Sequence, residues 1–535
     1  MRVAGDVRAV TDGAGRWVTI AAFVVAIIAL AAIGTGWWHL TSSTVGLSIE
    51  SQRVGEVPVT IYRQAAAGPA PVVVIAHGFA GSQQMMQPYA VTLARNGYIA
   101  VTFDFPGHGS NPQPFVASLM DQERRIVLLQ GALEQVAGFA VALPGGYGRL
   151  ALLGHSMAGD ILLRYAAAHR DQVAATVLLS PYMSPNCPRI DPRNVLFVFG
   201  ELEPEMLHQA GREAVAAACT GQVSGAGAVE AGVTYGDPAT GSARRLVLAP
   251  GVEHIGVLYG EGGIGAALEW LNRAFGWSGD GFRDARGRWL GLLFFGLVAL
   301  AWPLSRLLPR AATRPLGAGL GWRRLLPVAL LPAVLTPLFL RVVPSDWLQI
   351  LLGDYLALHF GVYGLLTIAG LWYSARRRGR GAAPTGAGRV LWSGFAIGAL
   401  AVTAYLTLAI ALPLDRYVTC FVPGAGRVWL ILAMVPGTWV YFAADGWLTQ
   451  GEGAPWGAPT LTKVLFLFSL MGAVALNLSQ LFFLIIIIPA ILVFFLVYGL
   501  IGGWVYRRTR HPLVGALGIG FALAWAIAVT FPVVG

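Results

Sequence analysis

The hydrophobic and polar positions divide the chain into three blocks. After a polar start at residues 1–16, an apolar run at residues 17–40 is long enough for one membrane helix, which needs about 20 residues. Residues 45–280 alternate short β-branched runs with amphipathic stretches of helical period. Residues 289–535 are mostly apolar and are interrupted by arginine-rich segments. The pattern therefore predicts a membrane anchor, an α/β domain and a polytopic membrane domain.

The apolar run at residues 17–40 is either an uncleaved anchor or a cleaved signal peptide. A signal peptide has an apolar core of about 7–15 residues that is followed by a small-residue cleavage site. The run here is longer, and no clear A-x-A site precedes a polar segment. We therefore favour the anchor.

The middle block has the pattern of an α/β domain. Six apolar runs have the length of buried strands, at residues 71–76, 98–103, 149–154, 174–180, 194–200 and 245–250. Stretches of helical period lie near residues 83–95, 119–141, 157–169, 204–219 and 264–275. Buried strands that alternate with helices are typical of a mostly parallel sheet with helices on both faces.

The last block contains eight predicted membrane helices. They lie near residues 289–308, 325–343, 347–373, 391–413, 428–444, 464–481, 484–505 and 512–533. With the first anchor, the chain has nine predicted spans. If residue 1 is cytoplasmic, the arginine clusters within residues 306–324, 376–389 and 507–510 all fall on the cytoplasmic side, as the positive-inside rule requires. This orientation in the cytoplasmic (inner) membrane puts the α/β domain on the periplasmic or extracellular side.

Composition supports a membrane protein. The chain is 56% hydrophobic and 12% charged, about half the charged fraction of a soluble globular protein. This excludes a disordered protein, a coiled coil and an ordinary cytosolic enzyme. The net charge of +10 does not indicate nucleic-acid binding, because the basic residues lie in short clusters between apolar runs. Only one of the 37 basic residues is a lysine, a bias typical of a GC-rich, bacterial genome.

A candidate nucleophile lies in the middle block. The predicted strand at residues 149–154 leads into G-H-S-M-A-G at residues 154–159, and a helical stretch follows. A serine at such a turn presents its hydroxyl at the carboxyl edge of the sheet, beside helix N–H groups that stabilise an oxyanion. The crowded turn needs small residues on both sides, which Gly154 and Ala158 provide. Ser156 is therefore the candidate nucleophile.

Two further loops are predicted at the same edge of the sheet. H-G-F-A-G at residues 77–81 follows one buried strand, and D-F-P-G-H-G-S-N at residues 104–111 follows the next. The expected oxyanion donors are the backbone N–H groups of Phe79 and Met157.

These motifs resemble the α/β-hydrolase superfamily, of the serine esterase or lipase type, over about residues 45–275. In that family the acid follows a later strand than the nucleophile, and the histidine comes last. The resemblance implies that His254 is the base and that Glu203 is the acid that orients it, with Glu201 as a rival in the same loop. The chain departs from the family pattern in two places, with Ala158 where a glycine is usual and a glutamate where an aspartate is usual.

Each candidate also has a structural alternative. Ser156 is otherwise a buried structural serine. His254 is otherwise an ordinary loop histidine, and Glu203 is otherwise a solvated loop carboxylate. The remaining polar residues near the motifs favour structural roles: His77 and His108 in their loops, His155 in packing or hydrogen bonding, and Asp160 in a helix ion pair with Arg164.

Cysteine and metal patterns are uninformative about chemistry. Cys187 and Cys219 lie in the predicted exterior domain, where they would either form a disulfide or remain free thiols. No spacing of His, Cys and Asp resembles a metal site, and no phosphate-binding loop of the P-loop type is present. We expect neither a metal nor a cofactor.

The sequence does not indicate what the predicted membrane domain does. Residues 181–194 are too short for the helical lid of many related lipases, which favours a site that is open or is covered by the membrane domain or bilayer. Asp354, His359 and Asp445 lie in or at the ends of predicted spans, where they serve either a substrate or proton role or interhelical hydrogen bonding.

Three functions are compatible with these observations. The first is a serine hydrolase that cleaves an apolar or lipid-like ester, with membrane lipids as surroundings and no nucleic-acid partner. The second is an acyltransferase that uses the same acyl-enzyme. The third is a transporter or assembly subunit with a non-catalytic hydrolase-like domain. The sequence does not indicate the substrate's identity or the oligomeric state.

Overall fold

The structure is a computed structural model that describes residues 3–65, 68–118, 121–219, 221–377 and 388–535. Three parts of the sequence predictions lie outside the described residues: the first two residues of the N-terminal segment, residues 119–120 of a predicted helix, and Arg378 and Arg380 of an arginine cluster.

The chain forms two compact units, each described here by itself. The α/β unit consists of Trp37–Gly291, Pro413–Pro423 and Pro532–Gly535. The helical unit consists of Met1–Gly36, Leu292–Leu412 and Gly424–Phe531. The α/β unit therefore includes two short segments that lie far along the chain, among the predicted spans.

The α/β unit is built on one nine-stranded sheet. Its strands are β1 (Leu47–Val54), β2 (Val57–Gln64), β3 (Ala70–Ala76), β4 (Ile99–Phe103), β5 (Gly146–His155), β6 (Val173–Leu179), β7 (Val195–Gly200), β8 (Thr234–Tyr235) and β9 (Arg244–Ala249). Their order across the sheet is β1-β2-β4-β3-β5-β6-β7-β9-β8. Strands from β4 to β9 in this order pair in parallel, whereas β1, β2 and β8 pair antiparallel with their neighbours.

Helices cover both faces of the sheet. The helix α1 (Val3–Ser42) precedes the sheet, and the helices that follow in the α/β unit are α2 (Gln87–Arg95), α3 (Gln122–Val141), α4 (Ala158–Ala168), α5 (Glu205–Ala218) and α6 (Glu261–Phe275). Ile75, Leu153 and Val177 lie in register across β3, β5 and β6 and pack in one core with residues of α2 and α6. Gly154, the next residue on β5, faces the opposite way, because a Cβ there would lie 2.5 Å from Leu162 of α4.

The predicted fold class is confirmed. The six predicted strands correspond to β3, β4, β5, β6, β7 and β9. The antiparallel hairpin of β1 and β2 was not predicted, because most side chains of β1 are exposed and its sequence has no apolar run. Since the central strands are parallel, their carboxyl ends meet at one edge of the sheet, where the loops that follow them converge.

The helical unit contains most of the apolar helices. The remaining helices are α7 (Gly287–Ser305), α8 (Trp322–Leu340), α9 (Gly353–Arg377), α10 (Trp392–Ala404), α11 (Ala411–Tyr417), α12 (Ala425–Thr449), α13 (Ala458–Leu476), α14 (Leu478–Leu481), α15 (Leu484–Thr509) and α16 (Pro512–Thr530). A π-helical segment, Tyr405–Ile410, makes α10 and α11 continuous. Within the described residues, nine helical segments are long and apolar enough to cross a membrane. They are α1 from Arg16, α7, α8, α9, the segment Trp392–Tyr417, α12, α13, α15 and α16, which agrees with the predicted number.

Small residues and buried polar pairs join the helices of this unit. A Cβ on Gly437 of α12 would lie 2.4 Å from the carbonyl oxygen of Ala357 in α9, so the two backbones are in close contact. His359 of α9 and Ser469 of α13 lie 3.1 Å apart through Nε2 and Oγ. Interhelical hydrogen bonding is therefore the observed role of His359.

The two acidic residues in or at the ends of the predicted spans, Asp354 and Asp445, have separate partners. Asp354 accepts the N–H of Tyr355 at 2.8 Å and does not pair with His359. Asp445 of α12 forms an ion pair with Lys463 of α13, the lysine that is unique in the sequence.

Candidate active site

The backbone at Ser156 is held in a strained turn between β5 and α4. Its φ of 51° lies in the left-handed region, which is unfavourable for a residue with a side chain. Three hydrogen bonds of 2.9 Å fix this conformation: the Ser156 N–H donates to Leu179, and the Ser156 carbonyl accepts from Gly159 and Tyr182. The serine side chain is half-buried at the carboxyl edge of the sheet.

The small residues around the turn are required by close packing. A Cβ on Gly154 would lie 2.9 Å from the Cβ of Ala158. A Cβ on Gly159 would lie 2.5 Å from the Cβ of Pro181, in the segment that follows β6. The tightest contact after the serine is therefore at Gly159, which accounts for the tolerance of alanine at residue 158.

A chain of hydrogen bonds links Ser156, His254 and Glu203. His254 follows β9, and its Nε2 lies 3.1 Å from the Ser156 Oγ. Its Nδ1 lies 2.6 Å from the Glu203 Oε1, on the loop after β7. In the neutral tautomer that fits this geometry, Nδ1–H donates to the carboxylate and Nε2 accepts from the serine hydroxyl. The Glu203 side chain is 1% exposed and the His254 side chain is 27% exposed. The acid is therefore shielded from solvent, whereas the base is accessible at the surface.

The second oxygen of Glu203 is held by two donors. Its Oε2 accepts the Ser180 hydroxyl at 2.6 Å and the Gly200 N–H at 2.7 Å. Burial acts to raise the pKa of Glu203, but hydrogen bonds from His254, Ser180 and Gly200, together with the charge of the imidazolium, outweigh burial and lower the pKa. The carboxylate therefore stays ionised beside the imidazole.

Glu201 points to a different partner. It is exposed, and its Oε2 accepts the N–H of Gly251 at 2.9 Å. The structure thus brings Glu203, and not the rival Glu201, to His254. One residue, Leu202, separates the two glutamates, and the turn after β7 directs one carboxylate inward and the other to the surface.

The two expected oxyanion donors belong to segments that adjoin Ser156. Met157 is buried and directly precedes α4, so its N–H belongs to the amides at the helix start that have no partner within the helix. The loop that carries Phe79 packs directly on the serine turn, since a Cβ on Gly78 would lie 2.8 Å from His155 Nδ1 and 3.0 Å from the Ser156 Cβ.

Three histidines near the site have structural hydrogen bonds. The His77 Nδ1–H donates to the Gly78 carbonyl at 2.7 Å, and its Nε2 accepts the Phe105 N–H at 3.0 Å. His155 lies 2.9 Å from the carbonyl of His254 through Nε2, and burial lowers the pKa of His155 to about 3. His108 contacts the carbonyl of Pro106 at 2.9 Å. Burial also lowers the pKa of His77, so the His77 and His155 rings are neutral.

Ser180 is the residue of the site that sequence reasoning missed. It directly follows β6, with a φ of 44°, and its N–H donates to Val198 at 2.7 Å. The available signal was its position, because a serine ends the predicted strand at residues 174–180. Since β6 lies between β5 and β7, a polar side chain at its carboxyl end lies between the nucleophile turn and the acid loop.

The remaining polar predictions have simple outcomes. Arg164 donates to Asp160 at 3.1 Å, which is the predicted helix ion pair. Cys187 and Cys219 are free and buried, so the disulfide alternative is wrong. Burial raises the pKa of both thiols. Within the described part of the chain, no three His, Cys, Asp or Glu side chains are grouped so that they would hold a metal ion.

Exposed apolar side chains lie on the loops that carry the site. Leu202 is 65% exposed between the two glutamates, and Met206 is 75% exposed at the start of α5. Ile255 follows the histidine, and Tyr182 follows β6. We call these four residues the apolar rim.

Comparisons with known proteins match the first half of the chain. Residues 67–216 match the family model Hydrolase_4, described as serine aminopeptidase S33. Epoxide hydrolase 3 from Xenopus tropicalis is 27% identical over 110 residues, which are 21% of this chain and 27% of that protein. The match therefore spans little more than a quarter of that relative's length.

Two solved structures are similar to parts of the chain. A membrane phospholipase A, described as a bacterial virulence factor, is 25% identical over 34% of this chain and 51% of its own, with a TM-score of 0.21. A putative dienelactone hydrolase from Klebsiella pneumoniae is 20% identical over 43% of this chain and 98% of its own, with a TM-score of 0.32. From the sheet order, the strained serine turn and the family match, we conclude that the α/β unit has the α/β-hydrolase fold, in one chain with a multi-pass set of candidate membrane helices.

Proposed function

We propose that this protein is a membrane-integrated serine hydrolase that cleaves an apolar carboxylic ester through an acyl-enzyme. The observation that carries the proposal is the continuous hydrogen-bond chain from Ser156 through His254 to Glu203. A merely structural serine would not need a strained backbone, a neutral imidazole acceptor and a buried carboxylate in one line.

The geometry supports a specific sequence of proton transfers. The Ser156 Oγ attacks the ester carbonyl carbon while its proton passes to His254 Nε2, and the charge of the imidazolium is stabilised by Glu203. The N–H groups of Phe79 and Met157 stabilise the oxyanion of the tetrahedral intermediate. The imidazolium then protonates the leaving alkoxide, which leaves an acyl-serine. Water then attacks the acyl carbon while its proton passes to His254 Nε2. The imidazolium returns this proton to the Ser156 Oγ as the carboxylic acid is released.

The apolar rim supports an apolar acyl or alcohol group in the substrate. Leu202 and Ile255 are neighbours in sequence of the acid and the base, and both side chains are exposed, so they are candidate contacts for a chain that extends from the reacting carbon. Each buried methylene contributes about 0.8 kcal/mol. We therefore expect kcat/KM to rise with acyl length in a series of p-nitrophenyl esters, and the rise to be weakened by Leu202→Ser and Met206→Ser. Equal rates across the series would contradict an apolar substrate.

A fluorophosphonate probe tests the catalytic proposal on the full chain in detergent. We expect one labelled serine, and loss of both labelling and esterase activity in Ser156→Ala and His254→Ala. Removal of a triad serine or histidine costs roughly 10⁴- to 10⁶-fold in rate. Ser278→Ala, at an exposed position of the same unit, is the control and should keep full activity. Labelling that persists in Ser156→Ala would contradict the assignment, and ester products formed with added alcohol would indicate acyl transfer.

We also propose that the α/β unit lies outside the cytoplasmic membrane. The arginine clusters among the candidate spans support this orientation. In a Cys420→Ser background, Ser278→Cys should react with a membrane-impermeant maleimide on intact cells, whereas Arg310→Cys should react only after permeabilisation. Both positions are exposed in the structure, so their accessibility differs only by the side of the membrane. The reverse pattern would invert the proposed topology.

A further inference from the structure

Ser82 joins the loop that carries Phe79 to a segment far along the chain. Its partner Cys420 lies 338 positions later. Ser82 ends the loop over residues 77–82 that follows β3, and it is 1% exposed. The N–H of Cys420 donates to the Ser82 Oγ at 2.8 Å, and the Thr419 Oγ1 lies 3.2 Å from the same oxygen. Ser82 is therefore held from outside the sequence block that forms the sheet.

The distant segment is itself ordered by one carboxylate. The Asp415 Oδ1 accepts the N–H groups of Phe421 and Val422, both at 2.7 Å, which closes the turn that presents Thr419 and Cys420. A second contact joins the same segment to the start of α2, because the Gln87 side chain donates to the Arg416 carbonyl at 3.1 Å.

The loop that carries Phe79 depends on contacts at both ends. At its start, His77 accepts the N–H of Phe105. At its end, the Gln83 N–H donates to Asp104 at 2.8 Å. Between these points Ala80 has a φ of 55°, a left-handed conformation that persists only when its surroundings enforce it. Ser82 lies two residues after Ala80, where a contact with the later segment restrains the strained part of the loop.

We propose that the segment Pro413–Pro423 positions the Phe79 oxyanion donor through Ser82. Ser82 and Asp415 are then positioning residues, which act on the reacting oxygen only through the loop backbone. The inference rests on the proposed serine hydrolase function. It assigns to the segment that ends the fifth candidate span and leads to the sixth a part in transition-state stabilisation, and it predicts an effect on kcat rather than on KM.

Kinetics of Ser82→Ala in the full chain test the proposal. Removal of a whole oxyanion donor costs about 10²- to 10³-fold in kcat, and we expect a displaced donor to cost about tenfold, with KM within twofold of the parent. The inhibition constant of an alkyl boronic acid, whose serine adduct mimics the tetrahedral intermediate, should rise by a similar factor. Ser278→Ala is the matched control.

Asp415 provides an independent pair of variants that leaves Ser82 intact. Asp415→Ala removes the acceptor that orders the turn and should reproduce the loss in kcat and in boronate affinity. Asp415→Asn keeps an acceptor oxygen and should retain most of the activity. This pair decides the question if Ser82→Ala does not fold.

The outcomes separate this inference from the proposed function. If the parent shows no Ser156-dependent activity, the proposed function fails. If the parent is active but folded Ser82→Ala and Asp415→Ala keep the parental kcat, only the positioning role fails. A fall in kcat with unchanged boronate affinity would also overturn it, because the loss would then have another cause.

Discussion

The Ser180 hydroxyl donates a 2.6 Å hydrogen bond to the Oε2 of Glu203, the oxygen that faces away from the imidazole. Together with the Gly200 N–H, this bond leaves Oε1 for His254 alone. The two carboxylate oxygens therefore have separate tasks: one anchors the acid to the ends of β6 and β7, and the other orients the base. A buried carboxylate with all of these donors remains ionised and fixed.

The first prediction concerns this anchor. Ser180→Ala removes a hydrogen bond to a charged group, which contributes about 1.5–3 kcal/mol. Since that bond lowers the pKa of Glu203, its loss should raise this pKa, and activity should decline at a higher pH on the acid side than in the parent. We expect kcat/KM to fall about tenfold at neutral pH, measured as a pH–rate profile.

A second substitution at residue 180 separates the hydroxyl from the backbone. Ser180→Gly suits the φ of 44° but also lacks the hydroxyl, so it should share the shifted profile. A parental profile in both variants would show that the hydroxyl has no role in orienting Glu203.

The second prediction distinguishes the two glutamates after β7. In Glu203→Gln the amide favours the imidazole tautomer that cannot accept the serine proton, a change that costs about 10⁴-fold in kcat in a serine triad. Glu201→Gln keeps an acceptor for the Gly251 N–H and should stay within a few-fold of the parent. Steady-state kinetics of the two variants check this. An equal or larger loss in Glu201→Gln would reassign the acid.

The third prediction is a stability that falls with acidification. The pKa of His155 is about 3 in the folded state because the ring is buried, whereas an ordinary histidine has a value near 6.5. Between about pH 3 and pH 6.5 the unfolded state binds more protons than the folded state. The free energy of unfolding is therefore highest above about pH 6.5 and decreases as the pH falls below that value. One such group contributes a slope of about 1.4 kcal/mol per pH unit.

His155→Gln keeps an N–H donor for the His254 carbonyl but does not titrate. We expect its unfolding midpoint in urea to depend less steeply on pH than that of the parent between pH 6.5 and 5. His77 is also buried with a lowered pKa, so part of the slope should remain. Identical slopes in parent and variant would mean that His155 is already accessible to protons in the folded state.

The fourth prediction concerns the ion pair inside the helical unit. Lys463→Met leaves the buried carboxylate of Asp445 without its partner, and loss of one partner of a buried pair costs about 3–5 kcal/mol. The double variant Lys463→Met with Asp445→Leu removes both charges and should recover most of that loss. Thermal unfolding of the full chain in detergent measures both. A double variant no more stable than the single one would indicate a role for Asp445 beyond its pairing with Lys463.

Much of the site followed from short stretches of sequence. Ser156 is predicted as the nucleophile from a buried strand, the six residues G-H-S-M-A-G and the helix that follows them. Phe79 is predicted as an oxyanion donor because its loop follows a buried strand, whereas the role of His254 is what the resemblance to the α/β-hydrolase superfamily implies. The features that predict Ser156 and Phe79 depend on strand propensity and on the space available at a tight turn. Both can be judged from residues that are adjacent in the sequence.

The resemblance favours Glu203 as the acid, but the sequence leaves Glu201 open as a rival. Both follow the same strand, and only the direction of the turn after β7 decides which carboxylate reaches the imidazole. The role of Ser180 has the same cause, because its partner lies on another loop. The pairing of Asp445 with Lys463 likewise depends on which faces of α12 and α13 meet.

The amino-acid sequence by itself determined the class of fold, the nine candidate spans and the nucleophile turn, since hydrophobic period and turn chemistry act over a few residues. Only the tertiary structure decided which acid faces His254, which hydroxyl supports it, and that Cys420 contacts Ser82. Contacts between distant residues are set by how whole elements pack, and no local pattern records the partner that packing selects.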